Sequence, residues 1–274
     1  MKNLIWPNKD TKIFISMAIN PGNSGAKLHN SLFKILKLNN IYLPLKVENI
    51  IQAKKILNNF NFHGCSLSMP YKEKLIKFID EIDKNAKKIG SINTILKKRN
   101  KLIGYNTDYY AAKEILKNQK LSKKSNLLIL GSGGVAKAII HSVIDLGFKN
   151  IFLSSRNKNK FDKIKIKKKV TFLPWKIRNK ISFDIIINGT PLGMFGKFDN
   201  KMPIRISQKY KPKLIYDLPV SHKVNVLGQY AKKNKIKYIS GLVSSYYQGI
   251  KQFEIYNNVK LNSKILKKIG ILLN

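Results

Sequence analysis

With 274 residues and 43% hydrophobic side chains interleaved with polar ones, the chain is long enough for two cored domains and does not read as a disordered or membrane-spanning sequence. Its 53 basic residues against 14 acidic ones give a net charge of +39, yet only Arg99, Arg156, Arg178 and Arg205 are arginines; lysines spread evenly over the chain argue against a nucleic-acid reader and predict attraction for small anions such as phosphates and carboxylates. The single cysteine, Cys65, excludes an internal disulfide and reads as a packed thiol, and residues 1–10 lack the apolar run of a secretory signal, so a cytoplasmic location is expected.

Apolar spacing predicts a first strand over residues 13–19, then a helix carrying Leu28, Leu32, Phe33, Ile35 and Leu36 behind a glycine-containing loop. The alternation repeats with a strand over 41–47, a helix over 50–57, a strand over 64–69 and a helix over 73–82 begun just after Pro70. Residues 92–96 and 102–105 read as a hairpin. A second unit begins near Leu121, where a polar stretch precedes the short apolar run 127–130, which suits a strand buried on both faces. A helix through Val135, Ile139, Ile140 and Val143 follows, with strands at 151–153, 184–187, 214–216 and 237–239. Helices over 243–256 and 263–273 close the chain, and the lysine-dense stretch 158–169 reads as a solvated helix face. Strands alternating with helices imply an α/β protein with mostly parallel sheets.

The turn after 127–130 reads Gly131-Ser132-Gly133-Gly134-Val135-Ala136, with a small alanine where the dinucleotide fingerprint carries its third glycine. Such a loop needs a tight turn with positive φ, a surface without Cβ atoms, and free N–H groups at a helix N-terminus to hold a pyrophosphate. The next strand leads into Ser154-Ser155-Arg156-Asn157-Lys158, where an NAD site would place a carboxylate against the ribose. Ser155, Arg156 and Lys158 there favour the extra phosphate of NADP(H) instead.

Further blocks are 66–73 (Ser-Leu-Ser-Met-Pro-Tyr-Lys-Glu), 91–94 (Ser-Ile-Asn-Thr), 105–108 (Tyr-Asn-Thr-Asp), 188–194 (Asn-Gly-Thr-Pro-Leu-Gly-Met), and 240–242 (Ser-Gly-Leu) followed by Gln248. With the glycine loop, in this order and spacing from about residue 15 to 252, the chain resembles the shikimate dehydrogenase family. The resemblance implies an N-terminal α/β substrate domain (1–108), a Rossmann-type parallel-sheet NADP domain (109–242) and C-terminal helices (243–274) that return to the substrate domain. It implies NADPH-dependent, reversible reduction of 3-dehydroshikimate to shikimate in aromatic amino acid biosynthesis. Lys72 and Asp108 match the family's catalytic pair, while Ser68, Asn93 and Gln248 match substrate contacts. Thr190, Leu218 and Gly241 join Gly131 to Ala136 at the cofactor. Asp108 also reads as a helix N-cap before Tyr109.

The family's Ser-x-Ser substrate motif, a few residues before His29-Asn30, is altered. Counting back from His29 places Asn23 and Gly25 where the serines belong, leaving Ser24 and the Asn23 amide as the donors at hand. The pattern resembles the family's shikimate dehydrogenase-like branch. It leaves quinate or another polyhydroxylated ring acid as an alternative substrate, and a non-catalytic dinucleotide-binding homologue as a rival. A small-molecule substrate, no membrane, no nucleic acid, no metal and a monomer or homodimer complete the expectations.

Overall fold

The computed structural model describes residues 7–162, 164, 169–194, 196, 198–221 and 224–273. The chain divides into two compact units, Met1–Thr107 with Tyr246–Asn274, and Asp108–Ser245.

The first unit opens with β1 (Lys12–Ala18), α1 (Ser24–Ile35), β2 (Asn40–Lys46), α2 (Ile50–Asn59) and β3 (Gly64–Leu67). Both β2 and β3 pair in parallel with β1. Side chains alternate along β1 between two apolar layers. Ile15 and Met17 enter a core with Val47, Leu57, Phe62 and Leu75, whereas Phe14 faces Leu28, Leu32, Phe33 and Phe253. Cys65 is fully buried, and burial pushes its thiol pKa up, as expected of a packed rather than reactive sulfur.

The continuous helix expected over 73–82 does not form. In its place are the single turn α3 (Tyr71–Lys74), a 3-10 turn (Ile76–Phe78) and β4 (Glu81–Ile82). Tyr71, Leu75 and Ile79 are buried at helical spacing, which explains the sequence reading. Tertiary pairing overrides it: Asp80 accepts a hydrogen bond from the Leu102 N–H at 2.7 Å, and the Asp83 N–H donates to the Gly104 carbonyl at 2.9 Å. Next comes α4 (Lys84–Ile89), started by the Asp83 side chain accepting from the Asn85 and Ala86 N–H groups and ended by Gly90 at φ +68°. The hairpin is β5 (Thr94–Lys98) and β6 (Lys101–Tyr105), with Arg99 and Asn100 both at positive φ in a two-residue turn. The sheet order is β2-β1-β3-β5-β6-β4, mixed rather than wholly parallel.

The helix α5 (Thr107–Lys117) leads into the second unit: β7 (Asn126–Leu130), α6 (Gly134–Asp145), β8 (Asn150–Ser155), α7 (Lys158–Asp162), β9 (Thr171–Pro174), β10 (Ile185–Asn188), β11 (Leu214–Asp217), α8 (Val226–Lys233) and β12 (Lys237–Ile239). All five strand pairs are parallel, in the order β12-β11-β10-β7-β8-β9, the doubly wound order of a Rossmann sheet. Every residue of β10 and β11 is buried, as strands covered on both faces require. Residues 163 and 165–168 of the lysine-dense stretch lie outside the described residues. The chain ends with α9 (Gly241–Asn257) and α10 (Ser263–Leu273); among the described residues no helix is long and apolar enough to cross a membrane.

Candidate active site

In the second unit the strand order reverses between β7 and β10, the point where doubly wound sheets bind their ligands. Gly131, just past β7, has φ +103°, and a Cβ there would lie 3.1 Å from the Gly189 carbonyl oxygen and 3.3 Å from Thr190 Cγ2. Its N–H donates to the Ser154 carbonyl at 2.8 Å, and the Gly189 N–H donates to Leu130 at 2.9 Å, so neighbouring strand ends hold the loop. Ala136 is small for a reason. It is fully buried, and a Cβ on Gly189 would lie 3.3 Å from its own, so the Ala136–Gly189 pair lets α6 approach the end of β10 closely. Gly133 precedes the first residue of α6 and nothing lies within 4 Å of where its Cβ would be. Open, Cβ-free surface at the N-terminus of a 12-residue helix fits a pyrophosphate. Gly131→Ala should therefore weaken NADP(H) binding at least about tenfold, because strained φ and backbone crowding act together; an NADPH fluorescence titration reads the change.

Ser155 ends β8, with its hydroxyl donating to the Asn157 carbonyl at 3.1 Å, and Arg156 and Lys158 just beyond it are exposed. Leu218 and Gly241 meet: a Cβ on Gly241 would collide with the carbonyl oxygens of Leu218 and Pro219.

A buried network centred on Asp217, Asn225 and Tyr238, to which sequence reasoning gave no role, fixes the loop after β10. Asp217, fully buried at the end of β11, accepts from Asn188 Nδ2 at 2.7 Å, Asn225 Nδ2 at 2.7 Å and the Tyr238 hydroxyl at 2.9 Å. Asn188 Oδ1 accepts from the Thr190 N–H at 3.0 Å and hydroxyl at 2.6 Å, while the Asn188 and Asn225 amides donate to the Leu192 and Gly193 carbonyls. Burial pushes the Asp217 pKa up, partly offset by its three donors. A carboxylate closing an otherwise apolar strand, in a chain with 14 acidic residues, was the available signal.

In the first unit Asn93 is 1% exposed, and its Oδ1 is the acceptor for the Thr107 N–H at 2.7 Å, the Thr94 hydroxyl at 2.9 Å and the Thr107 hydroxyl at 3.1 Å. Its Nδ2 is thereby turned toward Gln248 Oε1 at 3.3 Å. The structure thus brings Asn93 and Gln248 together. Lys72 is half-buried on α3, and its carbonyl accepts the Ile92 N–H at 2.9 Å, tying the lysine's backbone to the Asn93 segment. Ser68 is exposed just beyond β3. Asn23 stands at the N-cap of α1 without a side-chain capping bond, and both it and Ser24 are exposed. Asp108 is not the N-cap of α5; it falls in the first turn, where the helix dipole favours a carboxylate, and its charge adds to the burial that raises the Tyr216 pKa in the same unit.

A doubly wound parallel sheet with an open glycine loop at its switch point is the architecture of a dinucleotide-binding unit. A family model described as the shikimate dehydrogenase substrate binding domain matches residues 19–95. The chain is 32% identical over 247 residues, 88% of this chain and 89% of the relative, to shikimate dehydrogenase (NADP(+)) of Maridesulfovibrio salexigens. It is 29% identical to a shikimate dehydrogenase-like protein of Haemophilus influenzae, covering 94% and 95% of the two chains. A crystal structure of a shikimate dehydrogenase in complex with NADP+ superposes with a TM-score of 0.81 at 28% identity, covering 97% of this chain and 96% of that one. The chain belongs to the shikimate dehydrogenase family.

Proposed function

We propose that the protein is an NADP-dependent oxidoreductase that reduces 3-dehydroshikimate to shikimate, reversibly, within aromatic amino acid biosynthesis. The observation that carries this reading is likeness along almost the whole chain to enzymes named shikimate dehydrogenase (NADP(+)). The first unit with its C-terminal helices serves as substrate domain, and the second as cofactor domain. Gly131, Ser132, Gly133, Gly134, Val135 and Ala136 hold the pyrophosphate, Ser155, Arg156 and Lys158 the 2′-phosphate, and Thr190, Leu218 and Gly241 the remainder of the cofactor. When bound, NADPH supplies hydride. A ketone that gains hydride at carbon needs a proton at oxygen. Lys72 delivers that proton and steadies the developing alkoxide, and Asp108 serves as the second catalytic group, an acceptor for a substrate hydroxyl. Asn93 Nδ2 and Gln248 bind ring hydroxyls, with Ser68, Asn23 and Ser24 toward the rest of the substrate. The protein acts in the cytoplasm on a small molecule, as a monomer or homodimer, without binding nucleic acid.

The altered 23–25 segment favours a second reading, oxidation of quinate or a related polyhydroxylated ring acid by the same residues. NADP reduction with saturating shikimate, quinate and related acids separates the two. Turnover of shikimate supports the first reading, turnover of quinate alone the second, and turnover of none removes the catalytic assignment. In the same assay Arg156→Gln should lower the ratio of kcat/KM for NADP over NAD by at least about tenfold, the loss of one charge-assisted phosphate contact. An unchanged ratio would remove Arg156 from the cofactor site.

A further inference from the structure

Strand register brings a row of hydroxyls onto one face of the first unit's sheet. Ser16 of β1 pairs directly with Ser66 of β3, which pairs with Thr94 of β5, so the three side chains share the face occupied by Phe14. Ser16 and Ser66 lie near the carboxyl ends of β1 and β3 and are half-buried, while Tyr42 is buried beside them. From β2 the Tyr42 hydroxyl extends over them. It donates to Ser66 Oγ at 2.7 Å and lies within hydrogen-bonding reach of Ser16. Ser66 Oγ donates to Gln252 Oε1 at 3.0 Å and is 3.1 Å from the Tyr256 hydroxyl, and Gln252 Nε2 donates to the Asn93 carbonyl at 3.3 Å. The cluster is therefore one glutamine away from the Asn93 amide.

Gly25 is fitted to this cluster. A Cβ at position 25 would lie 3.3 Å from the Tyr42 hydroxyl, so a side chain there and the phenol compete for one space. The Asn30 side chain clasps the Tyr42 backbone, accepting from its N–H at 2.8 Å and donating to its carbonyl at 3.0 Å, which fixes the phenol in place. His29 stacks on the Tyr42 ring at 4.5 Å, and burial holds its pKa down to about 3, so it adds no positive charge at neutral pH. Any anion received here is held by neutral hydroxyls.

We propose that Ser16, Tyr42 and Ser66 form the subsite for the carboxylate of the ring acid, replacing side-chain hydroxyls from the 23–25 loop. The inference rests on the ring-acid reading above. A carboxylate oxygen is a stronger acceptor than the neutral amide oxygen of Gln252, so Ser66 redirects its proton to the ligand, joined by the Ser16 and Tyr42 hydroxyls.

The test compares shikimate with its methyl ester, which keeps the ring and loses the charge. Steady-state kcat/KM and calorimetric affinity with NADP present are measured for the native protein, Ser16→Ala, Ser66→Ala, Tyr42→Phe and the pair Asn23→Ala and Ser24→Ala. The native protein should prefer the acid, and Ser66→Ala and Tyr42→Phe should each cut the acid-to-ester ratio at least about tenfold, mainly through KM. Equal losses for acid and ester would mark a structural role and overturn the proposal. So would a ratio that falls in the Asn23 and Ser24 variants but not in the Ser66 or Tyr42 variants. If the native protein turns over neither compound, the catalytic reading fails by itself, and the calorimetric ratio still decides whether these hydroxyls select a carboxylate.

Discussion

Replacing Lys72 with alanine should lower kcat about 10²- to 10⁴-fold, the usual yield of a positioned general acid, and leave the affinity for NADPH within about twofold. The split follows from where Lys72 stands. It is the second residue of a one-turn helix whose backbone is tied to Ile92, in the unit that holds Asn93 and Gln248, whereas the glycine loop belongs to the other unit. Losing the ammonium removes both the proton donor and the charge facing the alkoxide, interactions that strengthen only as the carbonyl oxygen becomes negative. Lys72→Arg should not restore the rate, because a guanidinium keeps its proton at any working pH. Single-turnover reduction with pre-bound NADPH measures the chemical step apart from binding. A Lys72→Ala protein with native single-turnover rate would remove the lysine from the mechanism.

The largest stability effect is expected at Asp217. Asp217→Ala would leave Asn188 Nδ2, Asn225 Nδ2 and the Tyr238 hydroxyl without their shared acceptor inside the protein. Each buried donor left unmade costs roughly 1–3 kcal/mol, so a total of about 3–5 kcal/mol is expected after local relaxation. Urea unfolding followed by circular dichroism would read this as a lower midpoint. The loop carrying Thr190 should loosen as well, weakening NADP(H) binding in whatever variant remains folded. The sign of the pH dependence follows from the raised pKa. The folded protein holds the Asp217 proton more tightly than the unfolded chain does, so this group's contribution to stability is fully present below the ordinary value of 3.8 and declines as pH rises through the raised folded value. Asp217→Asn should flatten that part of the stability profile. A profile unchanged in Asp217→Asn would contradict the assignment.

Five of the six parallel strands of the second unit were legible in the sequence because strands covered on both faces must be continuously apolar, as 127–130 is, whereas the edge strand β9, with one fully buried residue, was missed. The glycine loop was legible for a local reason as well: Gly131 needs positive φ, and no side chain fits against Gly189. Elements decided by long-range pairing were not. The segment 73–82 has helical spacing at Tyr71, Leu75 and Ile79, yet its carboxylates and amides pair with β6 and the Leu102 N–H. The short helices α4 and α8 were missed although Asp83 and Asn225 are ordinary N-caps, because their apolar stripes are too short to stand out. Asn93 and Gln248 were singled out by their sequence blocks, and the fold brings their side chains together. The Ser16, Tyr42 and Ser66 hydroxyls were not singled out, since each looks like an ordinary strand residue until register sets them side by side. The same holds for Gly25, whose lack of a side chain acquires meaning only against the Tyr42 phenol.

The proposed function stands on hydride delivery from NADPH to the ketone carbon of 3-dehydroshikimate. Incubating the protein with 3-dehydroshikimate and NADPH deuterated at the transferring position, then analysing the product by mass spectrometry, tests it directly. The expected product is shikimate carrying one deuterium at the carbon that bore the ketone, with formation strongly reduced in Lys72→Ala. Absence of shikimate, or shikimate without deuterium, would contradict it.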